Sequence, residues 1–204
     1  MAERDLPAFA KHEERDEAPL RIMHIICSAD PLGGGPIEAA KRLGEVWRSR
    51  GHVHHLVTMD PPDAPYISEC ASPVIALGHP GVLRRSKFGP LDRLYAYRYS
   101  PGAVEWIRRH ARHYDIAVVS GLWNYATTAA RRALVGGELP YLVFTHGMLD
   151  PWFKHHYPLK HWVKQMLWLF NEGVLMRHAS AVLFTQQDEC KLADGAFFPY
   201  SVKP

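Results

Sequence analysis

Short apolar runs alternate with amphipathic stretches along most of this chain of 204 residues. The alternation predicts βαβ units, because a strand covered by helices on both faces has a continuous aliphatic sequence. Six runs predict strands, at residues 22–27, 53–58, 74–77, 116–120, 141–145 and 181–185. We therefore expect an α/β fold with a Rossmann-like parallel sheet flanked by helices, in which the run at 22–27 is a central strand.

Four stretches between these runs are predicted to be helices, at residues 37–50, 101–110, 125–135 and 160–177. In the first of them Ile37, Ala40, Leu43 and Trp47 fall on one face at spacings of three and four. Gly51 follows that helix, as a C-terminal glycine commonly does. Residues 28–36, 78–90 and 146–159 are predicted to be loops.

The helix predicted at 160–177 has two interpretations. An apolar stripe at helical spacing favours a helix that faces the core, and it comprises Val163, Met166, Leu167, Phe170 and Val174. The alternative is a helix on a membrane surface, suggested by its aromatic residues beside basic ones, which are Trp162, Trp168, Phe170, Lys160, Lys164 and Arg177. We expect the first arrangement, because periodic apolar stripes usually pack on a core.

The composition limits the classes of partner and compartment. Lys and Arg number 24 against 21 for Asp and Glu, an excess too small to indicate nucleic-acid binding. Cys27, Cys70 and Cys190 are widely spaced, which indicates neither disulfides nor a zinc site and fits a reducing, cytoplasmic compartment.

Residues 1–20 are rich in charge without the apolar segment of a signal peptide, so we expect a disordered tail. No apolar run reaches the roughly 18 residues needed to cross a bilayer, so any membrane association is expected to be peripheral, on the inner face.

A glycine-rich segment between the first strand and the first helix contains Gly33, Gly34 and Gly35. Ligands of open parallel sheets bind beyond the carboxyl ends of the strands, where this segment lies. Glycines let backbone N–H groups approach an anion closely, and the N-terminus of the following helix adds unpaired donors and a partial positive charge. The three glycines are therefore candidates for binding an anionic ligand.

Two known phosphate-binding motifs match this segment incompletely. A P-loop ends in Gly-Lys-Ser or Gly-Lys-Thr, which is absent. The dinucleotide fingerprint G-x-G-x-x-G is met by Gly33 and Gly35, but Glu38 occupies the third glycine position and Asp60 after the second strand does not restore the match. A nicotinamide or flavin site is one alternative, and a turn that serves only packing is another.

Two further candidate segments follow predicted strands, Ser120-Gly121-Leu122-Trp123-Asn124 and residues 145–152, which contain the sequence HGMLDPW. Together with GGGPIE at 33–38, RGH at 50–52 and KHW at 160–162, they resemble the N-terminal domain of family 4-like glycosyltransferases. The resemblance extends from about residue 21 to residue 204, and the HGMLDPW segment followed by a helix with Lys and Trp is its most specific part. Members of this family are retaining enzymes of the GT-B architecture, so the resemblance implies that the chain is one half of that architecture.

The resemblance also implies a function and a site. The function is transfer of a hexose from a nucleotide sugar to a glycan or lipid-linked acceptor, in polysaccharide or glycoconjugate biosynthesis. Gly33, Gly34 and Gly35 would lie against the donor diphosphate, and His146 would contact the transferred sugar or the acceptor. Negative charge develops on the leaving diphosphate during transfer, so preorganised backbone donors would stabilise the transition state. The nucleotide sugar is a co-substrate, and neither a cofactor nor a catalytic metal is implied.

The same loops supply candidates for acceptor binding, which are Trp123, Asn124, Asp150 and Trp152. For Asp150, a role as a helix N-cap or turn residue fits equally well. The basic loop at 78–90 adds Arg84 and Arg85, which would bind an acceptor phosphate or an anionic membrane, with a solvated loop as the default alternative.

Histidines cluster in two places, at 52–55 and 155–161, without the spacing of metal ligands. In a strand His52 and His54 share a face whereas His55 points to the other, and no carboxylate or cysteine stands at ligand spacing. We expect solvated or packed histidines and no metal.

The segment 197–202 resembles the turn that leads into the second domain of this family, with Ser201 where glycine is usual. We expect a tail at 1–20 and an acceptor-side domain at 21–204, with the donor-side domain absent and little activity in the isolated chain. An exposed apolar face around Trp123, Trp152 and Phe198 would indicate a missing partner domain. Two alternatives are a non-catalytic remnant that binds a glycan or a partner protein, and a dinucleotide-dependent oxidoreductase.

Overall fold

All six predicted strands are present and form one parallel sheet. The computed structural model describes residues 18–79 and 97–200. The strands are β1 Arg21–Ile26, β2 Val53–Thr58, β3 Val74–Ala76, β4 Ile116–Ser120, β5 Tyr141–Phe144 and β6 Ala181–Leu183. They are hydrogen-bonded in the order β3-β2-β1-β4-β5-β6. The first strand therefore lies in the middle of the sheet, as expected, with β2 and β4 as its parallel neighbours.

Helices connect the strands on both faces of the sheet. Their bounds are α1 Gly35–Ser49, α2 Pro65–Ser68, α3 Ala103–His110, α4 Tyr125–Leu134, α5 Trp152–His156, α6 Pro158–Leu167, α7 Gly173–His178 and α8 Gln187–Ala193. Two short 3-10 helices, Pro31–Gly33 and Ala111–His113, and a π-helix at Trp168–Glu172 complete the secondary structure of the described residues. Strand order and helical layers are those of a Rossmann-like fold, so the predicted fold class is confirmed.

The core has two parts, one on each face of the sheet. Neighbouring residues of a strand point to opposite faces, and Ile25 and Ile26 of β1 accordingly belong to different clusters. Ile26 packs with Ile37 and Ala40 of α1 in the smaller cluster. The larger cluster joins the sheet to α3, α4 and α7. The sheet is thus covered on both sides, which is why its strands are continuously apolar.

The predicted loop at 146–159 is wrong in part, because α5 lies within it. The Asp150 side chain accepts a hydrogen bond of 2.8 Å from the N–H of Trp152, which starts this short helix. Tyr157 then takes an extended φ of −138° because it precedes a proline, and Pro158 begins α6 at a position where its missing N–H costs nothing.

The predicted single helix at 160–177 is interrupted by the π-helix at its centre. The Gly173 N–H donates to the carbonyl of Trp168, five residues earlier. A Cβ on Gly173 would lie 2.6 Å from that carbonyl oxygen and 2.9 Å from the indole nitrogen of Trp168. The absence of a side chain at position 173 therefore lets the Trp168 ring pack there, fully buried.

The predicted core-facing stripe of this helix is also wrong. Its members Val163, Met166 and Phe170 are 63%, 50% and 68% exposed. The buried residues are instead Trp168, Asn171, Glu172, Leu175 and Met176. A π-turn adds one residue to a helical turn and shifts the face that follows it. Asn171 accepts a hydrogen bond of 2.9 Å from Arg131 and donates one of 3.0 Å to Glu172 Oε1, whereas Glu172 Oε2 is buried and has no hydrogen-bond partner among the described residues.

Three of the predicted features lie outside the described residues. They are the tail at 1–17, the part of the basic loop with Arg84 and Arg85, and Ser201 in the segment expected to lead into a second domain. The roles predicted for these residues remain predictions.

Candidate functional site

The glycine-rich segment forms a turn at the carboxyl end of β1 and the N-terminus of α1. Gly34 has φ 72° and ψ −141°, a backbone conformation that side chains disfavour. No side chain caps α1 at this end, which leaves the N–H groups of Gly35 and Ile37 as potential anion donors, since Pro36 has no N–H. A Cβ added to Gly34 or Gly35 would meet no atom within 4 Å, and both glycines are exposed. The predicted anion-binding glycines thus border open space.

A buried carboxylate, Asp60, holds this turn in place from the end of β2. Its side chain is fully buried and accepts hydrogen bonds from Ser28 Oγ at 2.7 Å and the Ala29 N–H at 2.6 Å. Tyr66 donates its hydroxyl at 2.8 Å, and Arg98 forms an ion pair with the same carboxylate. All of its bonding capacity is directed inward, so Asp60 is a structural anchor of the site.

Two other strand ends carry a non-glycine residue in the left-handed region of the backbone. They are Trp123 after β4, with φ 64°, and His146 after β5, with φ 51°. For bulky residues this conformation costs about 1–3 kcal/mol and persists only where surrounding contacts impose it. Such residues concentrate at functional sites, which agrees with the prediction that these loops carry function.

Each strained residue is held by a buried glutamate. Glu172 accepts the Trp123 N–H at 3.3 Å and the Thr127 hydroxyl at 3.2 Å, and burial raises its pKa. Glu189 of α8 accepts the Gly147 N–H at 2.7 Å and the Thr145 hydroxyl at 2.5 Å on either side of His146. Burial opposes ionisation of Glu189, but these bonds and those from Thr185 lower its pKa overall. The loop conformation at His146 is therefore fixed by an ionised carboxylate.

His146 is the outermost member of a series of hydrogen-bonded polar side chains that leads into the interior. Its Nε2 is 3.2 Å from Ser120 Oγ, which is 2.8 Å from Nε2 of His24. The other ring nitrogen of His24 is 3.2 Å from Nε2 of His54, and Nδ1 of His54 is 3.2 Å from Ser72 Oγ. We name these five residues the histidine chain. It crosses β5, β4, β1 and β2 and connects the candidate site to the interior.

Burial keeps the histidine chain neutral. It lowers the pKa of His24 to about 3 and that of His54 to about 4, with smaller contributions from His54 and His146 to the first and from Arg48 and His55 to the second. Burial lowers the pKa of His146 as well, although the nearby Glu189 opposes this. A neutral imidazole has one donor and one acceptor nitrogen, so the tautomer of each ring restricts that of the next. The histidine chain therefore orients the His146 ring and restricts its proton position.

Helix α1 has a glycine where the histidine chain needs space. A Cβ on Gly44 would lie 2.3 Å from Nδ1 of His54 and 2.9 Å from Ser72 Oγ. Trp47, one turn later, packs its ring 5.3 Å from that of His54. The predicted apolar face of α1 therefore covers buried histidines, and the expectation that the His54 ring is packed is confirmed.

Of the six predicted acceptor residues, the four that the structure describes have structural contacts of their own. Asn124 is the N-cap of α4 and accepts the Thr127 N–H at 3.3 Å. Asp150 has the turn role described above. The half-buried Trp123 ring packs 5.0 Å from Phe197 and lies under Lys164, whereas Trp152 is 48% exposed. Their roles in acceptor binding remain predictions.

Four buried residues of this site were missed by the sequence analysis as functional elements: His24, Asp60, Glu172 and Glu189. Two had a local signal. Asp60 closely follows the end of a strand, and Glu189 is the third residue of a helix, where a glutamate can bond back to the preceding backbone. Here it accepts the Thr185 N–H at 2.8 Å. The others depend on contacts between strands that are far apart in sequence.

Among residues 18–79 and 97–200, no group of three or more His, Cys, Asp or Glu side chains is placed to hold a metal ion. In the same part of the chain, no helix is both long enough and apolar enough to span a bilayer.

The parallel sheet with a glycine turn and a histidine at its carboxyl edge defines a Rossmann-like domain of the kind found in GT-B glycosyltransferases. Residues 34–200 match the family model described as a glycosyl transferase 4-like domain, and the chain belongs to this family. The predicted resemblance is thereby confirmed. Comparison with curated protein sequences gave no significant match.

Solved structures with the same fold include a sucrose-phosphate synthase from Thermosynechococcus elongatus, with 18% identity and a TM-score of 0.60. The match covers 87% of this chain and 45% of the synthase chain. HepE of Anabaena, in complex with UDP and glucose, has 18% identity and a TM-score of 0.54, over 85% of this chain and 40% of its own. A putative UDP-N-acetylglucosamine 2-epimerase from Listeria monocytogenes has 13% identity and a TM-score of 0.50. The match covers 87% of this chain and 42% of the epimerase chain. At these identities the likeness shows the fold, and the chain spans less than half the length of these structures.

Proposed function

We propose that this domain is the acceptor-side half of a retaining, hexose-transferring GT-B glycosyltransferase. Its substrates are a nucleotide-sugar donor and a glycan or lipid-linked acceptor, and its place is in cytoplasmic polysaccharide or glycoconjugate synthesis. One observation carries the proposal: an uncapped helix N-terminus behind Gly34 and a strained, carboxylate-held His146 lie at the same edge of the sheet. Family membership and the UDP and glucose bound by HepE support this assignment.

The glycine turn suits the diphosphate of the donor. Strands β1 and β5 are separated by β4 alone, so the turn and His146 arise roughly 10 Å apart at the level of the strands. A diphosphate at Gly33, Gly34 and Gly35 would receive the N–H of Gly35 and the positive end of α1, while the N–H groups of Gly33 and Gly34 donate within the turn to the carbonyls of Asp30 and Pro31. As the bond from sugar to diphosphate breaks, charge on the leaving group grows, and these preorganised donors would stabilise it.

His146 suits a contact with the transferred sugar or the acceptor. Its Nε2 is directed at Ser120, so Nδ1 is the atom that would meet a sugar hydroxyl. In the neutral ring Nδ1 either donates or accepts, according to the tautomer that the histidine chain selects. The proposed role is binding and orientation of the hydroxyl, with no cofactor or metal.

The alternative of a dinucleotide-dependent oxidoreductase is disfavoured by Asp60. In dinucleotide-binding Rossmann domains an acidic residue about 20 residues after the last glycine of the motif, beyond the second strand, binds the ribose hydroxyls. Here the carboxylate at the end of β2 is fully buried and bonded to Ser28, Ala29, Tyr66 and Arg98. It has no capacity left for a ribose.

The remainder of the donor site is proposed to lie on a second, donor-side domain that supplies the nucleotide pocket. Charge-assisted hydrogen bonds from the glycine turn contribute roughly 1.5–3 kcal/mol each. Association costs roughly 4–15 kcal/mol, so a few such bonds support only millimolar binding. We expect the isolated chain to bind donors weakly and to show little turnover.

Calorimetric titration with nucleotide sugars and with NAD tests the proposed function. We expect millimolar binding of at least one nucleotide sugar and none of NAD. Gly34→Val should weaken the binding at least tenfold, because valine disfavours the Gly34 conformation and its side chain enters the anion site. Gly136→Val is the matched control, since Gly136 has a similar φ of 80°, is exposed and lies in the turn between α4 and β5.

Two outcomes would contradict the proposal. One is micromolar affinity for NAD, which would restore the oxidoreductase alternative. The other is binding of nucleotide sugars that Gly34→Val and Gly136→Val weaken equally, because the glycine turn would then not be the site.

A further inference from the structure

The histidine chain has few hydrogens to distribute among its hydrogen bonds. A neutral imidazole has one donor and one acceptor nitrogen, and a serine hydroxyl has a single hydrogen to donate. Buried donors in folded proteins are hydrogen-bonded, because an unpaired one loses its bond to water without a replacement. The inner end of the chain is Ser72 and the outer end is His146. The partners at the inner end therefore restrict which nitrogen carries the proton at the outer end.

Ser72 determines the direction of the innermost hydrogen bond. It is 2% exposed, and among the described residues its hydroxyl has one hydrogen-bond partner, Nδ1 of His54 at 3.2 Å. If Nδ1 carried the proton, it would donate to the serine oxygen, and the hydrogen of the buried hydroxyl would have no acceptor. The hydroxyl therefore donates to Nδ1, and the proton of the neutral His54 ring is on Nε2.

The same direction continues to the carboxyl ends of the strands. Nε2 of His54 donates to Nδ1 of His24, so the proton of His24 is on Nε2 and is donated to the Ser120 oxygen. Ser120 is 1% exposed, and within the described part of the chain its hydroxyl has one other partner, Nε2 of His146. The Ser120 hydrogen is therefore directed at that nitrogen. His146 accepts at Nε2, which leaves its own proton on Nδ1.

Charged groups at the two ends of the chain favour the same direction. Arg48 donates to the carbonyl of Ala71, the residue before the inner serine, so a guanidinium lies at the inner end. Burial, followed by the charge of Arg48, lowers the pKa of His54. At the outer end the carboxylate of Glu189 holds the loop around His146. A cation at one end and an anion at the other displace the protons of the chain towards the outer end.

Nδ1 is the ring nitrogen of His146 that is left for a ligand. Nε2 is bonded to Ser120, and Nδ1 has no hydrogen-bond partner among residues 18–79 and 97–200. The half-buried ring stacks on Phe144 with the two ring centroids 3.9 Å apart, which fixes its plane. A ligand at the end of β5 would therefore meet Nδ1 and the proton that it carries.

We propose that the histidine chain fixes His146 as the tautomer with its proton on Nδ1, so that His146 presents a hydrogen-bond donor to the ligand. The other four members are positioning residues, because they act through His146. The ligand atom is an oxygen that accepts a hydrogen bond. His146 does not act as a base towards it, since its acceptor nitrogen is bonded to Ser120. If the proposed function holds, this oxygen belongs to a sugar hydroxyl.

NMR spectroscopy of the imidazole nitrogens tests the proposal in the ligand-free chain at neutral pH. The chemical shifts of Nδ1 and Nε2 identify the nitrogen that carries the proton. We expect Nε2 for His24 and His54 and Nδ1 for His146. A proton on Nε2 of His146, or on Nδ1 of either buried ring, would overturn the proposal.

Ser72→Ala tests whether the proton position is transmitted along the chain. The substitution removes the hydrogen that sets the direction, so a second set of His146 signals should appear, with the proton on Nε2. The ratio of the two tautomers should change about fivefold or more, because an unpaired buried donor costs at least that factor. Ser68→Ala is the matched control, since Ser68 is exposed and donates to the carbonyl of Pro65. It should leave all three rings unchanged.

Unchanged His146 signals in folded Ser72→Ala would show that local contacts set the ring, and the proposal would be wrong. The wild-type spectrum decides the tautomer even if this variant does not fold. Neither measurement uses a nucleotide sugar, so the tautomer and the proposed function can fail separately. A chain with the expected tautomers that binds no nucleotide sugar would contradict the proposed function alone.

Discussion

Lowering the pH from 7 to 5 is expected to remove about 4 kcal/mol from the free energy of unfolding. The cause is the histidine chain, in which burial lowers the pKa of His24 to about 3 and of His54 to about 4. The unfolded chain takes up protons below its ordinary pKa of about 6.5, whereas the folded chain does not. The stabilisation is therefore complete above pH 6.5 and is lost as the pH falls towards the folded values.

The size of this effect follows from the unfolded state. At pH 5 each unfolded histidine is about 1.5 pH units below its pKa, and one unit corresponds to about 1.4 kcal/mol, so each of the two contributes about 2 kcal/mol. Urea unfolding at a series of pH values measures the sum. Ionised Glu189, whose pKa is lowered in the fold, adds a further loss in the same direction at lower pH.

A control and a direct observation separate the histidine chain from general acid sensitivity. His113→Gln changes an exposed histidine outside the chain and should leave the loss unchanged. NMR titration of the imidazole nitrogens should show no protonation of His24 or His54 above pH 5. Constant stability between pH 7 and 5, or either ring titrating near pH 6.5, would contradict this account.

Replacing Asp60 with alanine is expected to lower the free energy of unfolding by about 3–5 kcal/mol. The substitution removes a fully buried carboxylate and leaves Arg98 without its ion-pair partner. It also leaves the Ala29 N–H and the Ser28 and Tyr66 hydroxyls without their acceptor. Chemical denaturation of the two proteins measures the difference.

Two variants calibrate the Asp60 result. Asp63→Ala removes an exposed carboxylate in the same loop and should stay within about 0.5 kcal/mol of wild type. Asp60→Asn keeps the shape and one acceptor oxygen, so it should fall between wild type and Asp60→Ala. A loss below about 1 kcal/mol for Asp60→Ala would show that the turn is held by other contacts.

Much of the fold was predictable from the sequence because its strands are nearly continuous apolar runs. The strand at 22–27 was correctly expected in the centre, and α1 was marked by its apolar spacing and by Gly51. The last long helix was predicted less well. The π-helix interrupts it where Gly173, having no side chain, leaves space for the Trp168 ring. The spacing of apolar residues in the sequence does not reveal such a contact.

The candidate site was predictable only where its residues lie directly at the strand ends. Gly34 and His146 could be located because glycines and a histidine followed apolar runs. Asp60 and Glu189, which hold them, had local signals, but their partners were not predictable, because Gly147 and Glu189 are 42 positions apart and Ser120 and His24 are 96 apart. Their pairing depends on strand order, which local sequence patterns do not specify.

The glycine turn and His146 are proposed to bind a sugar nucleotide together. The most direct test of this proposal is to map amide and imidazole NMR shifts of the chain during titration with pyrophosphate and then with UDP-glucose. Pyrophosphate is expected to shift the amides of Gly33, Gly34 and Gly35, and UDP-glucose is expected to shift these and also the His146 ring. Shifts confined to other surfaces, or an unchanged spectrum at the highest ligand concentration, would contradict it.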